Sequence, residues 1–234
     1  MSTLIIGFLL VFGVFFNSFE SGSLSQYLQW HSIILVIGGS LGILVLSNPP
    51  GVLKSLFKAL LSFFKPDDTL SVYEHELRSL STNKEQGAKS KNKLIAYAAE
   101  LWEQGIDPEL FVALLSQKKR ELEHRQIDAV QALKNLSKYP PALGMVGTVM
   151  GMVALFQGLD SNKNNIGANL SMAMTATFYG LILTNAIVSP LSDRLQVKQV
   201  HDANTNQGVY ELLLLINRGE SSSFIDEEIR ERAA

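Results

Sequence analysis

Two threonines stand out in stretches that otherwise hold no charge. Thr148 lies in Gly-Thr-Val-Met-Gly and Thr177 in Met-Thr-Ala-Thr-Phe-Tyr-Gly. A buried threonine often does no more than bond the carbonyl four residues back. Two hydroxyls on neighbouring helices can instead line an ion path, because oxygen is the ligand a hard cation takes. Small residues surround both. Gly144, Gly147 and Gly151 share one region, and Gly147 and Gly151 form G-x-x-x-G. Ala176 and Gly180 form a second small-x-x-x-small pair, while Ala173, Thr177, Gly180 and Thr184 share one helical face. In lipid such residues let helix backbones approach closely. Packing inside one subunit explains any single motif; their density argues for an additional interface with another chain.

Other chemistry finds little support. His31, His75, His124 and His201 are far apart, and none has a histidine at i+4. There is no G-x-x-x-x-G-K-[ST] and no G-x-S-x-G. The glycines from Gly144 to Gly151 have the wrong spacing for a dinucleotide fingerprint and no preceding strand. With no cysteine, a disulfide framework, thiolate metal site and cysteine nucleophile are excluded. The net charge of −2 gives no reason to expect nucleic acid as a partner. No enzymatic activity, cofactor or resident metal is expected.

The elements that must carry the threonines follow from charge. Hydrophobic residues make up 47% of the 234 and charged residues 18%, against about 25% charged in an average soluble protein. Charge is absent from 1–19, 21–53, 139–159 and 164–192, and a bilayer-spanning helix needs about 20 mostly apolar residues. The reading is an all-α integral membrane protein with four transmembrane helices, near Leu4 to Phe19, Trp30 to Ser47, Tyr139 to Leu159 and Asn169 to Ser189. The first stretch has no Lys or Arg and no A-x-A-like site, which favours a retained helix over a cleaved leader. The expected domains are spans one and two in 1–47, a helical cytoplasmic domain in 48–138, the ion-path spans three and four in 139–192, and a cytoplasmic helix and tail in 193–234.

Basic residues orient the chain. Residues 48–138 hold 14 of the 20 Lys and Arg, and basic residues near span ends stay cytoplasmic. Both termini are then cytoplasmic. After Pro49-Pro50-Gly51, Leu53, Leu56, Phe57, Leu60, Leu61 and Phe64 recur at helical spacing opposite Lys54, Lys58 and Lys65. This is either an interfacial helix or a bundle helix. Residues 81–92 read as a loop. Asp107-Pro108 opens a helix with apolar positions Phe111, Leu115, Leu122, Ala129, Leu133 and Leu136. Run to Lys138, that helix would be ~45 Å long. The segment from Asp193 to Ile216 also reads as helical.

The spans contain no Asp, Glu, Lys or Arg, whereas cation pathways normally use an intramembrane ionisable group. An ion path through this chain therefore needs a carboxylate from a partner's helix.

The run from Tyr139 to Val153 and the run from Gly167 to Asn185 resemble spans three and four of the MotA/PomA flagellar stator A-subunits, within the MotA/TolQ/ExbB ion-channel superfamily. Ser32 to Ser40 resembles span two of that family, as does the four-span order with a large loop between spans two and three. The resemblance implies a bacterial inner-membrane subunit, five copies of which surround two single-span B-subunits of MotB or PomB type. The partner's aspartate binds the travelling ion, and ion flow turns the ring against the flagellar rotor protein. By resemblance, Pro141 matches a functionally important proline at the start of span three, and Thr148 and Thr177 match threonines that face the partner's aspartate. Gly144, Gly147, Gly151, Ala173 and Gly180 are, with Pro141, the expected partner-helix and gating positions. Proton-driven members usually have alanine at the position of Thr148, so the resemblance favours the sodium-driven PomA branch. Two departures stand beside it: Gln29 stands where the PomA branch has an aspartate just before span two, and the cytoplasmic loop is shorter and lacks the family's rotor-contact run. A non-flagellar ExbB/TolQ-like energy-coupling subunit is the alternative, and a passive scaffold without ion flow a third reading.

Overall fold

The computed structural model describes residues 2–17, 27–63, 70–82, 90–158, 166–220 and 227. The described residues contain no strand. Helices α1 (Ser2–Asn17), α2 (Trp30–Ser47), α3 (Pro50–Ser62), α4 (Leu70–Thr82), α5 (Lys93–Glu103), α6 (Pro108–Leu136), α7 (Tyr139–Gly158), α8 (Ile166–Ile182) and α9 (Ser189–Arg218) follow one another. Two π-helical turns interrupt the series, Ile34–Gly38 inside α2 and Leu183–Val188 between α8 and α9.

Among the described residues three helical stretches are long and apolar enough to cross a membrane: Trp30–Ser47, Pro108–Gly158 and Ile166–Arg218. The remaining expected span, the first, corresponds to α1. It has 16 residues, about 24 Å of helix against a hydrocarbon core of about 30 Å. The rest of that stretch, 18 and 19, lies outside the described residues, as do Phe64, Lys65 and most of the expected loop at 81–92.

The chain divides into two compact units. One comprises Met1–Phe64 and Asp128–Leu195; the other comprises Lys65–Ile127 and Gln196–Ala234. These boundaries differ from those of the charge pattern at 47, 138 and 192. Charge marks where lipid can lie, whereas packing also gathers α3 and the end of α6 around the spans.

In the first unit α7 packs chiefly on α8, and both lie against α2. At one end of these helices a second cluster forms, with Leu44, Leu56, Ala129, Leu133, Leu136, Val188 and Leu195 buried together. Helix α2 stops at Asn48 and Pro49, which are extended, because a residue before proline is pushed out of the helical region. The Asn48 amide donates back to the Leu44 carbonyl at 2.8 Å, and Pro50 opens α3 where its missing N–H costs nothing. Residues Ser137 and Lys138 form the turn between α6 and α7.

The second unit has its own core. Leu77, Leu80, Leu94, Ile95, Phe111, Leu115, Leu212 and Leu213 are completely buried or nearly so. Of the apolar positions marked along α6, Phe111 and Leu115 face this core, and Ala129, Leu133 and Leu136 face the cluster in the first unit. The Asn92 side chain caps α5 by accepting from the Leu94 N–H at 2.8 Å. The same helix ends on Gly105 at φ +64°, with the Ile106 N–H donating to Leu101 O and the Gly105 N–H to Trp102 O. That left-handed cap is open to glycine at little cost. Gly219, at φ +76°, ends α9 in the same way.

Candidate functional site: a hydroxyl pair in a glycine seam

The seam between α7 and α8 is set by glycine. A Cβ on Gly147 would stand 2.5 Å from the Ala176 Cβ, and one on Gly151 2.6 Å from the Ala173 Cβ. A Cβ on Gly144 would meet the Ala176 carbonyl oxygen and the Thr177 Cα, both at 3.0 Å. On the facing helix, a Cβ on Gly180 would lie 2.5 Å from the Pro140 carbonyl oxygen and 3.2 Å from the Pro141 Cα. Real Cβ atoms do not come so close, so the two backbones touch along three turns with nothing between them. Gly144, Gly147, Gly151, Ala173 and Gly180 are thus all engaged within the chain itself. Packing between this chain's own helices engages each of these small residues.

Pro140 and Pro141 occupy the first turn of α7, where a helix has N–H groups to spare. Pro140 is buried, and Pro141 is half-buried with its Cα against Gly180. The preceding turn is tied down by the Thr184 hydroxyl, which donates to the Ser137 carbonyl at 2.9 Å. Thr184 belongs to the π-helical turn Leu183–Val188.

Close approach brings the threonines together. The Thr148 and Thr177 Oγ1 atoms are 2.5 Å apart. Thr148 can donate to its own Gly144 carbonyl at 3.0 Å and across the seam to the Ala173 carbonyl at 3.3 Å. Thr177 can donate across to the Gly144 carbonyl at 3.3 Å. Back-bonding along one helix therefore describes only part of Thr148, and Thr177 reaches across the seam instead. Four oxygens cluster here: two hydroxyls and two backbone carbonyls, with two hydroxyl protons among them. A hydroxyl rotates to suit its neighbour, so each can turn a lone pair towards an arriving cation. Both side chains are half-buried, so the cluster is not sealed inside the seam.

A second hydroxyl site joins α8 to α2. Ser32 is fully buried; its Oγ donates to the Met172 carbonyl at 3.0 Å and lies 3.3 Å from the Thr175 Oγ1. Thr175 and Thr177 are two residues apart and so point to different sides of α8. One side meets α2 and the other α7. The reading of residues alone did not mark Ser32 or Thr175. Their signal is a lone small hydroxyl in a charge-free run, which by itself does not name the helix it will meet. Gln29, where the resemblance predicts aspartate, is half-buried just before α2. No cluster of three or more His, Cys, Asp or Glu suited to a metal occurs among the described residues.

Residues 75–206 match the model of the MotA/TolQ/ExbB proton channel family. The chain belongs to that family. It is 25% identical over 217 residues to motility protein A of Cereibacter sphaeroides, covering 89% of this chain and 85% of that one. It is 23% identical over 219 residues to the chemotaxis protein PomA of Vibrio alginolyticus, with the same two coverages. Identity of this size favours neither branch of the family over the other. In fold the chain is similar to the structure of C. jejuni MotAB, with a TM-score of 0.82, 18% identity and coverage of 99% of this chain and 95% of that one. The flagellar MotAB stator complex from Bacillus subtilis gives a TM-score of 0.74 at 19% identity, covering 95% and 92%. The matched segment contains the whole hydroxyl cluster.

Proposed function

We propose that this chain is the A-subunit of a flagellar stator, passing Na⁺ in preference to H⁺ along α7 and α8. The observation that carries the reading is the Thr148–Thr177 pair above the Gly144 carbonyl. A dehydrated Na⁺ needs several oxygens in place of its water shell, and backbone carbonyls with hydroxyls can supply them. A hopping proton needs no such cluster. Four oxygens are too few and carry no net charge, so the remaining ligand is a carboxylate on a single-span partner of MotB or PomB type. The similarity in fold to two MotAB stator structures supports that partner. A homo-oligomer, a pentamer by resemblance, then encloses the partner's helix. Ion flow past its carboxylate turns the ring, and the unit of residues 65–127 and 196–234 pushes a flagellar rotor protein. The distribution of Lys and Arg supports an inner-membrane protein with both termini cytoplasmic.

The test is motility in cells that carry the partner. Thr148→Ala and Thr177→Ala each remove one hydroxyl and should slow Na⁺-dependent swimming strongly, with membrane levels unchanged. The purified chain alone should conduct no Na⁺. Wild-type speed in both variants, or robust flux without a partner, overturns the ion-site reading. Swimming that follows the proton-motive force alone returns the chain to the proton-driven branch.

A further inference from the structure

Helix α3 presents two different faces. Val52, Leu53, Leu56, Ala59, Leu60 and Phe63 pack into the cluster with Leu133 and Val188. The opposite stripe of Lys54, Phe57, Lys58 and Leu61 recurs at i, i+3, i+4 and i+7 and is exposed, Phe57 at 65% and Leu61 at 50%. A helix that merely covers a core in water keeps its outer stripe polar. Two large apolar side chains set between two lysines are the pattern of a helix lying in a lipid interface. The sequence of α3 holds no Asp or Glu, and among the described residues no carboxylate pairs with Lys54 or Lys58. The chain also holds this face close to a membrane. Only Asn48 and Pro49 separate α3 from the end of the apolar α2, and three Cα steps reach at most about 11 Å, so α3 begins in or beside a headgroup layer about 5–8 Å thick.

Resting on the membrane reading above, we infer that the Lys54–Phe57–Lys58–Leu61 face of α3 is a docking surface for anionic lipid, with the rings and methyls at the acyl boundary and the ammonium groups among the headgroups. Each lysine near an anionic surface is worth about 1 kcal/mol, an enrichment of about fivefold, and the pair gives about thirtyfold. The face then fixes the depth of α3, and through Leu53 and Leu60 braces the ends of α6 and α9 against the membrane.

The absence of cysteine allows one label to be placed cleanly. Gly51 lies on the same face, and a Cβ there meets nothing within 4 Å. The purified chain with Gly51→Cys carries a bimane label and is placed in nanodiscs containing brominated phosphatidylglycerol or, at equal mole fraction, brominated phosphatidylcholine. The anionic quencher should act the more strongly. Lys54→Gln should reduce that preference about fivefold, and Lys54→Gln with Lys58→Gln should bring the two quenchers to parity. A label at Leu41→Cys, on the exposed side of α2 and away from the proposed ion path, reports embedding independently. If the label at 41 is quenched while that at 51 is dark to both lipids, as a covering protein surface would make it, the inference fails and the membrane reading stands. Equal quenching by both lipids with the lysines present also overturns it. Loss of quenching at both positions removes the membrane reading and the inference together.

Discussion

Replacing Gly151 by alanine tests whether the glycine seam sets the geometry of the hydroxyl cluster. The new Cβ would stand 2.6 Å from the Ala173 Cβ, 2.9 Å from its Cα and 3.0 Å from its N. Two of those three atoms are backbone, so no rotamer change relieves the contact. An ordinary carbon–carbon contact is 3.5–4.0 Å, so α7 and α8 must separate locally by about 1 Å. Overpacking of this kind costs typically 1–3 kcal/mol. The geometric consequence is larger than the energetic one. Thr148 sits one turn before Gly151 and bonds the same Ala173 through its carbonyl at 3.3 Å. A shift of about 1 Å takes that contact beyond hydrogen-bonding range. The variant should therefore unfold several degrees lower in detergent, and should lose Na⁺-dependent motility even at temperatures where it remains folded. Gly42→Ala is the control. It is also in a helix, but its Cβ meets nothing within 4 Å, so alanine should be neutral or gain up to about 1 kcal/mol. The assay is fluorescence-detected size-exclusion thermostability together with swimming speed in a strain carrying the partner. Gly151→Ala with wild-type thermal stability and speed would refute the reasoning, because the helices would then not be in contact there.

Three further outcomes concern the second unit. Phe111→Ala removes a fully buried ring stacked on Trp102 at 5.2 Å, and should cost about 3–5 kcal/mol; a smaller loss of thermal stability would place that ring outside the core. Asn92→Ala removes the cap on the Leu94 N–H, and should cost about 0.5–2 kcal/mol, visible as faster hydrogen exchange in the first turn of α5, whereas Asn92→Asp should retain most of the protection. Lys118, chiefly through its hydrogen bond to Glu121 and then its charge, with help from Arg125 and Lys93, holds the Glu121 carboxyl below its ordinary 4.5. A depressed carboxylate adds stability above its unfolded pKa and loses it as pH falls through the folded one. Glu121→Gln should accordingly lower thermal stability a little at neutral pH, with the difference closing as pH falls below about 4.5, so that the acid side of the profile flattens; an unaltered acid slope contradicts the pairing.

Much of the architecture was legible in the residues because its causes are local. Charge-free runs mark α2, α7 and α8, since no ionisable side chain can be left in hydrocarbon at small cost. Pro108 starts α6 as expected, and the helix ends at Leu136, two residues short of the predicted Lys138. Of the apolar positions along α6, Phe111, Leu115, Ala129, Leu133 and Leu136 are buried, and Leu122 is half-buried against the core of the second unit. The division into units was less legible. α3 could be read as interfacial or as a bundle helix, and the structure shows a buried face and an exposed apolar face on the same helix.

The sequence by itself determined which residues could serve an ion: two hydroxyls, no carboxylate and a ladder of small residues. These are properties of residue type, and under the proposed ion path they call for a partner's carboxylate whatever the packing. Only the tertiary structure decided that Thr148 and Thr177 touch, that they share the Gly144 carbonyl, and that the glycines are consumed by the seam that brings them together. It also decided that Thr175 turns away to Ser32. Helical spacing gives the direction of a side chain around its own axis. Which helix stands in that direction, and how near, depends on contacts between residues far apart in the chain. Here the missing Cβ atoms of Gly144, Gly147, Gly151 and Gly180 set that distance.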